Sequence, residues 1–234
     1  MTVNDNLEQQ AKLLYDYWFT QFDFPDENGK PYKSSGGKMV WNEELKREIP
    51  ANWEVKSLSQ ILKKNANPFD YASKQITIDL SVMTSDSISV SSFSSSDSFS
   101  TNLFEMNKGD ILFGSIRPYL HKACIAPCNG VVAGTVHSYQ TINPVDYNFA
   151  LMTMVRSSFF DYAVNVSTGT KMPVVSSDSI LSYKVPYCEE LVKKYSEFSI
   201  AKPITDNSME NYILNELRDW LLPMLMNGQA TISD

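Results

Sequence analysis

The chain has 234 residues, of which 43% are hydrophobic and 12% aromatic, and this composition is typical of a folded protein with a sizeable core. It has no run of roughly 18 apolar residues, no basic segment followed by an apolar one at its start, and only three cysteines. We therefore expect no membrane span, no secretory leader and no disulfide framework, and predict a cytoplasmic protein.

The net charge of −7 is concentrated in the two ends of the chain. Residues 1–60 carry 7 basic and 10 acidic side chains, residues 189–234 carry 4 and 8, and residues 61–188 carry 9 of each. A neutral middle segment can still collect its Lys and Arg side chains on one face. The charge therefore neither excludes nor demonstrates a nucleic-acid partner.

The beginning of the chain has the spacing of a helix. Leu7, Leu14 and Trp18 lie on one apolar stripe at steps of seven and four residues. Asp5, with Glu8 three residues later, resembles a capping box and predicts where the helix starts.

A polar stretch, FDFPDENGKPYKSSGGKM, follows from Phe22 to Met39. Its prolines and glycines mark turns, and loops of this length are uncommon in compact domains unless they are functional or are linkers. The SSGGK run fails as a phosphate-binding loop, because Tyr32 stands where that motif needs Gly and Met39 where it needs Ser or Thr. We interpret the segment as a joint, anchored by Phe22, Phe24 and Tyr32.

The middle of the chain has the patterns of a mixed α/β domain with a β-rich core that begins near Trp53. KQITIDL and KGDILFGSI have the alternation and the short apolar run that predict strands, and a helical spacing follows Pro144. Asn129-Gly130 separates two further apolar runs and predicts a hairpin. The serine-rich tract Ser81–Ser100 still alternates with apolar residues, so we interpret it as strand edge and exposed loop.

The tail, NSMENYILNELRDWLLPMLMNGQ, has the clearest helical pattern. Asn207 and Glu210 predict its start, Gly228 predicts its end, and Pro223 is expected to kink or shorten it. Its apolar residues cover a wider arc of the helix than docking on one face requires. Two interpretations therefore stay open: a terminal helix docked on its own domain, or a coiled-coil seam. The residues predicted to pair helices are Leu7, Leu14, Trp18, Ile213, Leu217, Trp220, Leu221 and Met224.

The chain has no recognisable catalytic motif, since it lacks both G-x-G-x-x-G after a strand and G-x-S-x-G. His121, Cys124, Cys128 and His137 have the side chains of a zinc site, but Cys-x3-Cys is an unusual spacing for structural zinc, and buried cysteines are the favoured interpretation. We predict no catalytic residue and no metal.

Four stretches together resemble the DNA-specificity (S) subunits of bacterial type I restriction–modification systems. They are LLYDYWFTQFDFPDENGKPYKSSGGKMVWNEELKREIPANWEV, KGDILFGSIRPYLHKACIAP, STGTKMPVVSSDSILSYKVPY and LRDWLLPMLMNGQ. The resemblance covers nearly the whole chain in the order of the family. It implies an N-terminal helix over residues 1–22, a connecting loop over 23–52, a mixed α/β target-recognition domain over 53–204 and a C-terminal coiled-coil helix over 205–234.

The resemblance also implies a function. A specificity subunit has no catalytic activity or cofactor of its own; it reads double-stranded DNA and holds modification subunits, which bind S-adenosylmethionine, while a restriction subunit completes the complex. The usual subunit has two recognition domains and this chain has one, so it is a natural half-size subunit, a recombination cassette or a truncated form. In the first case we expect it to pair as a homodimer or with another half-subunit. Two alternatives stay open: a scaffold of the same fold that does not read DNA, and a stand-alone metal- or S-adenosylmethionine-dependent enzyme.

The residues predicted to contact DNA are cations and polar groups on loops at strand ends. Arginine can bind guanine with two hydrogen bonds, and lysine can neutralise phosphate. Pro118 stiffens the first loop, and Gly169 allows close backbone approach in the second. The candidates are Arg117, Tyr119, His121, Lys122, Thr170, Lys171, Lys63, Lys64 and Lys74.

Overall fold

The computed structural model describes residues 2–69, 75–100 and 102–227. The first helix, α1, spans Val3–Tyr15 and continues as a π-helical turn over Asp16–Thr20. Its cap is Thr2, not the predicted Asp5: the Thr2 hydroxyl accepts from the Asp5 N–H at 3.2 Å, and the Asp5 carboxylate accepts from the Thr2 N–H at 2.7 Å. This backbone hydrogen bond lowers the pKa of Asp5.

Glu8 ties α1 to the domain and does not act as the capping partner that its spacing predicts. Its side chain is buried and accepts hydrogen bonds from Lys12 Nζ at 2.6 Å and from the Ile88 N–H at 3.0 Å. The prediction was wrong because Glu8 lies one turn too far into the helix to reach the cap.

Two four-stranded sheets form the centre of the domain. The strands of the first, in spatial order, are β4 (Leu62–Asn65), β11 (Val136–Thr141), β8 (Ile111–Gly114) and β9 (Ala123–Ile125), and all are antiparallel. Those of the second are β6 (Ser94–Ser95), β5 (Ile76–Ile78), β10 (Gly130–Ala133) and β7 (Leu103–Met106), in which β5 and β10 are parallel. The serine-rich tract supplies the short edge strand β6, as the sequence predicts.

The predicted hairpin at Asn129-Gly130 is not formed, because β9 and β10 belong to different sheets. The Asn129 side chain instead accepts a hydrogen bond from the Lys108 N–H at 2.7 Å. Gly130 is needed for a different reason: a Cβ there would lie 2.4 Å from the Ile76 carbonyl oxygen of β5. The glycine therefore permits close approach of two parallel backbones.

Helices cover the rest of the domain. They are α2 (Tyr147–Met154), α3 (Ser157–Asn165), α4 (Ser177–Leu181) and α5 (Glu189–Ser196), and β12 (Lys184–Tyr187) pairs with β3 (Glu54–Ser57). The structure thus confirms the predicted mixed α/β class with a β-rich core. No helix in the part of the chain that the structure describes is long and apolar enough to cross a membrane.

The connecting segment contains more structure than a loop. β1 (Met39–Asn42) and β2 (Arg47–Pro50) form an antiparallel hairpin. The three predicted anchors are confirmed: Phe22 and Phe24 are buried at 5.1 and 5.5 Å from the ring of Trp53, and Tyr32 stacks on Phe24 at 4.7 Å between ring centroids. One hydrophobic core runs from Ala11 through this segment to Ile204, across the predicted boundaries at 22/23 and 52/53.

The last helix, α6, spans Ala201–Met226. It begins six residues before the predicted Asn207 and includes Pro203, which is tolerated in the first turn of a helix. It also continues for three residues past Pro223, which does not end it, and the predicted stop at Gly228 lies outside the described residues. Its first turns are docked on α1, where Asn207 donates to the Asn4 side chain at 2.8 Å.

Replacing Phe22 with alanine is expected to lower the free energy of unfolding by about 3–5 kcal/mol, because it opens a cavity beside Trp53 in the core. Urea denaturation measures this loss. Trp41, which is 57% exposed, is the matched control, and Trp41→Ala is expected to change stability by less than about 0.5 kcal/mol. Equal losses in both variants would contradict the anchoring role of Phe22.

Candidate nucleic-acid interface

The two loops predicted to contact DNA lie side by side. The Arg117 N–H donates to the Pro173 carbonyl at 2.8 Å, and the Val175 N–H donates to the Ser115 carbonyl at 2.9 Å. Thr168 and Val174 exchange two further backbone hydrogen bonds, of 2.9 and 2.8 Å. We call residues 116–122 and 168–174 together the recognition surface.

The first loop holds a rarely populated backbone conformation. Arg117 and His121 have positive φ angles of 52° and 51°, and a single 3₁₀ turn, Pro118–Leu120, lies between them. Such angles are unfavourable for residues with a Cβ and persist only where neighbouring contacts hold them. Here the contact to Pro173 holds one side, and Asp86, whose N–H donates to the His121 carbonyl at 2.9 Å, holds the other.

Arg117 and Lys171 extend from this surface into solvent. Neither side chain makes an ion pair or a hydrogen bond to another residue within the described ranges, and both are exposed. Tyr119, which is 52% exposed, and the exposed Thr170 lie beside them. The arrangement places two unpaired cations and two hydroxyl groups on a rigid loop pair, as a surface that contacts DNA needs.

His121 and Lys122 have structural contacts instead. The His121 ring stacks on Phe160 at 4.5 Å between centroids, and its Nδ1 lies 2.8 Å from the Asp86 carboxylate. Lys122 Nζ donates to the Leu80 carbonyl at 2.5 Å. These side chains hold the loop in place, so they are less available to a ligand than Arg117 and Lys171.

Lys63 and Lys64 lie on β4, an edge strand, and both are exposed. Lys64 is close enough to His137 to disfavour its protonation, and His137 Nε2 lies 3.3 Å from the carbonyl oxygen of Val175, which follows the second loop directly. A chain of contacts thus leads from Lys64 to the recognition surface. Lys74 lies outside the described residues.

Three apolar side chains of the recognition surface were not among the residues predicted to contact DNA. Leu120, Met172 and Val174 are 37%, 50% and 39% exposed. Exposed apolar groups next to cations suit contact with the methyl group of thymine. All three residues lie in the two loops predicted to contact DNA, and the sequence shows this. An apolar residue in a loop, however, does not by itself predict exposure.

The four side chains considered for zinc do not form a metal site. Cys124 is buried in an apolar cluster that raises the pKa of its thiol, and Cys128 packs beside it. His121 faces Asp86, and His137 faces Val175. Among the residues that the structure describes, no three His, Cys, Asp or Glu side chains are grouped as metal ligands.

No protein-family model matches the chain. The chain is 25% identical over 215 residues to the specificity subunit of the type I restriction enzyme EcoDI from Escherichia coli, an alignment that covers 86% of this chain and 47% of the relative. It is 24% identical over 252 aligned positions to the specificity subunit of the type I restriction enzyme MjaIX from Methanocaldococcus jannaschii, covering 99% of this chain and 54% of the relative. The resemblance inferred from the sequence is confirmed, and the chain spans about half the length of these relatives.

The fold is similar to that of a solved structure. The crystal structure of the HsdS subunit from Thermoanaerobacter tengcongensis superposes with a TM-score of 0.52 at 16% identity, over 77% of this chain and 47% of that one. This similarity supports the fold class that the sequence predicts.

The free energy of unfolding is expected to fall as the pH drops from about 6.5 towards 4, because burial, and then the charge of Lys64, lower the pKa of His137 to about 4. In that window the unfolded chain binds a proton at residue 137 and the native chain does not, so stability rises with pH. Denaturation at several pH values should show a shallower dependence for His137→Gln, whose amide can still donate to Val175. Parallel curves for the two proteins would contradict this assignment.

Proposed function

We propose that the chain is a non-catalytic DNA-specificity subunit of a type I restriction–modification system, or the corresponding half of one, and that it reads one half of a bipartite double-stranded target. The observation that carries the proposal is the recognition surface, where Arg117 and Lys171 are exposed on two loops joined by backbone hydrogen bonds and pair with no other residue that the structure describes. The names of both curated relatives support it. A cytoplasmic location and the absence of a cofactor of its own accompany this role.

The charge distribution is compatible with this role despite the net charge of −7. Phosphate binding depends on cations within about a Debye length, roughly 8–10 Å at physiological salt, and not on the sum over the chain. Arg117 and Lys171 belong to loops that touch, whereas the excess acidic residues lie in the first 60 and last 46 positions.

The far half of α6 suits the assembly part of the role. Beyond Tyr212 the helix leaves the domain, and Ile213, Leu217 and Trp220 are 59%, 51% and 59% exposed, while Leu221 and Met224 of the predicted seam are half-buried. Of the stripe predicted on α1, Trp18 is in the core of the chain itself, and Leu7 and Leu14 pack against that core. We therefore assign pairing, with a second copy or another half-subunit, mainly to α6.

The expected partners follow from this role. Modification subunits that bind S-adenosylmethionine dock on the specificity chain, and a restriction subunit joins the full complex. The exposed apolar half of α6 also favours a second candidate function, a scaffold that assembles these subunits without reading DNA.

The double variant Arg117→Ala, Lys171→Ala is expected to bind its target DNA at least about 10-fold more weakly, since each good base contact contributes about 1–3 kcal/mol. Fluorescence anisotropy at several salt concentrations measures both the affinity and its salt dependence, whose slope should decrease by about 1 for each lost phosphate contact. The assay uses the chain with its modification subunits.

Lys30→Ala, Lys33→Ala is the matched control, because it removes two exposed positive charges from the connecting segment. It is expected to keep the affinity of the wild type within about 2-fold. Unchanged binding by the Arg117 and Lys171 variant at moderate salt would contradict the proposed interface.

Leu217→Glu is expected to shift the chain towards a monomer, because it places a charge in the middle of the exposed apolar stripe of α6. Light scattering after size-exclusion chromatography measures the mass. Ile142→Glu, at a site that is 56% exposed outside α6, is the control and is expected to leave the mass unchanged. The same mass for wild type and Leu217→Glu would reject pairing through this stripe.

Methylome sequencing of cells that carry this chain and its modification subunits distinguishes the two candidate functions. Sequence-selective adenine methylation supports the specificity role, and its site shows whether the two halves are symmetric. Co-purification with modification subunits without selective methylation supports the scaffold.

A further inference from the structure

A cavity of about 370 Å³ lies where three parts of the chain meet. The end of α1, the β1–β2 hairpin and the helical side of the domain each contribute to its wall. We call it the arginine cavity; its polar lining includes Tyr15, Arg47, Arg156, Tyr162, Tyr183 and Lys184.

Three cations line the cavity, Arg47, Arg156 and Lys184, and they outnumber their carboxylate partners by one. Arg156 Nε lies 3.1 Å from the carboxylate of Asp16, and Lys184 Nζ lies 3.2 Å from that of Glu44. Arg47 has no carboxylate within ion-pair distance in the part of the chain that the structure describes. In a protein whose net charge is −7, Arg47 is thus a cavity cation whose charge no carboxylate of the described residues balances.

Arg47 is half-buried and uses little of its hydrogen-bonding capacity. Within the described ranges its guanidinium makes one hydrogen bond, from Nη2 to the Thr20 carbonyl at 2.9 Å, and lies 4.7 Å from the centroid of the Phe22 ring. The contact to Thr20 places the cation at the carboxyl end of the first helix, which is favourable. The remaining N–H groups have no protein acceptor among the described residues, and they are not buried, so they are free to donate to a ligand.

Arg47 and Arg156 are also close enough to repel each other. Burial lowers the pKa of Arg47, and the positive charge of Arg156 lowers it further. The phenol of Tyr183 lies near both guanidiniums: burial raises its pKa, and the charges of Arg156 and Arg47 oppose that rise. Two guanidiniums and a phenol that stays protonated form a donor set for an oxyanion.

The arginine cavity is separate from the recognition surface. Phe160 of α3 stacks on His121 of the first loop, whereas Tyr162 of the same helix lines the cavity. Two residues along a helix differ by roughly 200° in direction, so these side chains lie on opposite sides of α3. DNA bound at the recognition surface would therefore not supply the anion.

We propose that the arginine cavity binds one oxyanion group, a carboxylate or a phosphate, between Arg47 and Arg156. Both guanidiniums can bind such a group with paired hydrogen bonds, and the group neutralises the excess charge. Its source is a small free anion or an acidic side chain of a partner protein. Because the cavity wall comes from α1, the hairpin and the domain, the bound anion stabilises the connection between the first helix and the recognition domain.

Thermal unfolding of the full chain tests the proposal in inorganic phosphate, in succinate and with a tetraglutamate peptide, each against sodium chloride at equal ionic strength. At saturating anion we expect the wild-type Tm to rise by several degrees above the chloride value, because a ligand that binds only the native state stabilises it. A rise in Tm with phosphate or succinate but not with the peptide indicates a small free anion as the source. A rise in Tm with the peptide indicates an acidic side chain of a partner protein.

Arg47→Gln and Arg156→Gln are expected to lose this rise, and Arg218→Gln, which removes an exposed guanidinium on α6, is expected to keep it. If the glutamine variants do not fold, Arg47→Lys serves, and its Kd for phosphate by calorimetry should be at least about 10-fold weaker, since lysine cannot form the paired bonds. The proposal is overturned if the wild-type Tm in each anion equals its Tm in chloride, or if all variants show the same rise in Tm as the wild type. The test is independent of DNA binding.

Discussion

Aromatic packing around Phe19 joins parts of the chain that are far apart in sequence. Its ring centroid lies 5.2 Å from that of Tyr15, 5.0 Å from Phe149, 5.4 Å from Tyr195 and 5.9 Å from Trp53. These rings belong to α1, α2, α5 and the residue just before β3, so one buried cluster holds all four together. Aromatic side chains bury large areas, and their contacts restrict ring orientation, so the cluster determines how the first helix lies on the domain.

The recognition surface depends on the same core through α3. Phe160 stacks between His121 of the first loop and Phe113 of β8, at 4.5 and 5.3 Å between centroids. This stack holds a loop with unfavourable backbone angles on a rigid strand, and a surface that discriminates between base sequences needs such rigidity. The arginine cavity lies on the other side of α3, so the two proposed sites, for DNA and for an anion, lie on opposite faces of one element.

Local patterns predicted those features whose causes are local. The spacing of Leu7, Leu14 and Trp18 predicted α1, and the aromatic residues of the connecting segment predicted its anchors. Two predictions were wrong because the outcome depended on contacts from elsewhere. Asn129-Gly130 turns between two sheets because β10 pairs with the distant β5, and α6 starts at Ala201 because its first turns dock on α1.

The mixed α/β class, the positions of the two loops and the resemblance to type I restriction specificity subunits could be predicted from the sequence, because these depend on periodicity and on residues that are contiguous in the chain. Which candidate cations are available depends on the folded arrangement of distant residues. His121 and Lys122 contact Asp86 and Leu80, at least 35 residues away, whereas Arg117 extends into solvent. Burial, and then the charge of Arg156, 109 positions away, likewise lower the pKa of Arg47, and no local pattern contains that information.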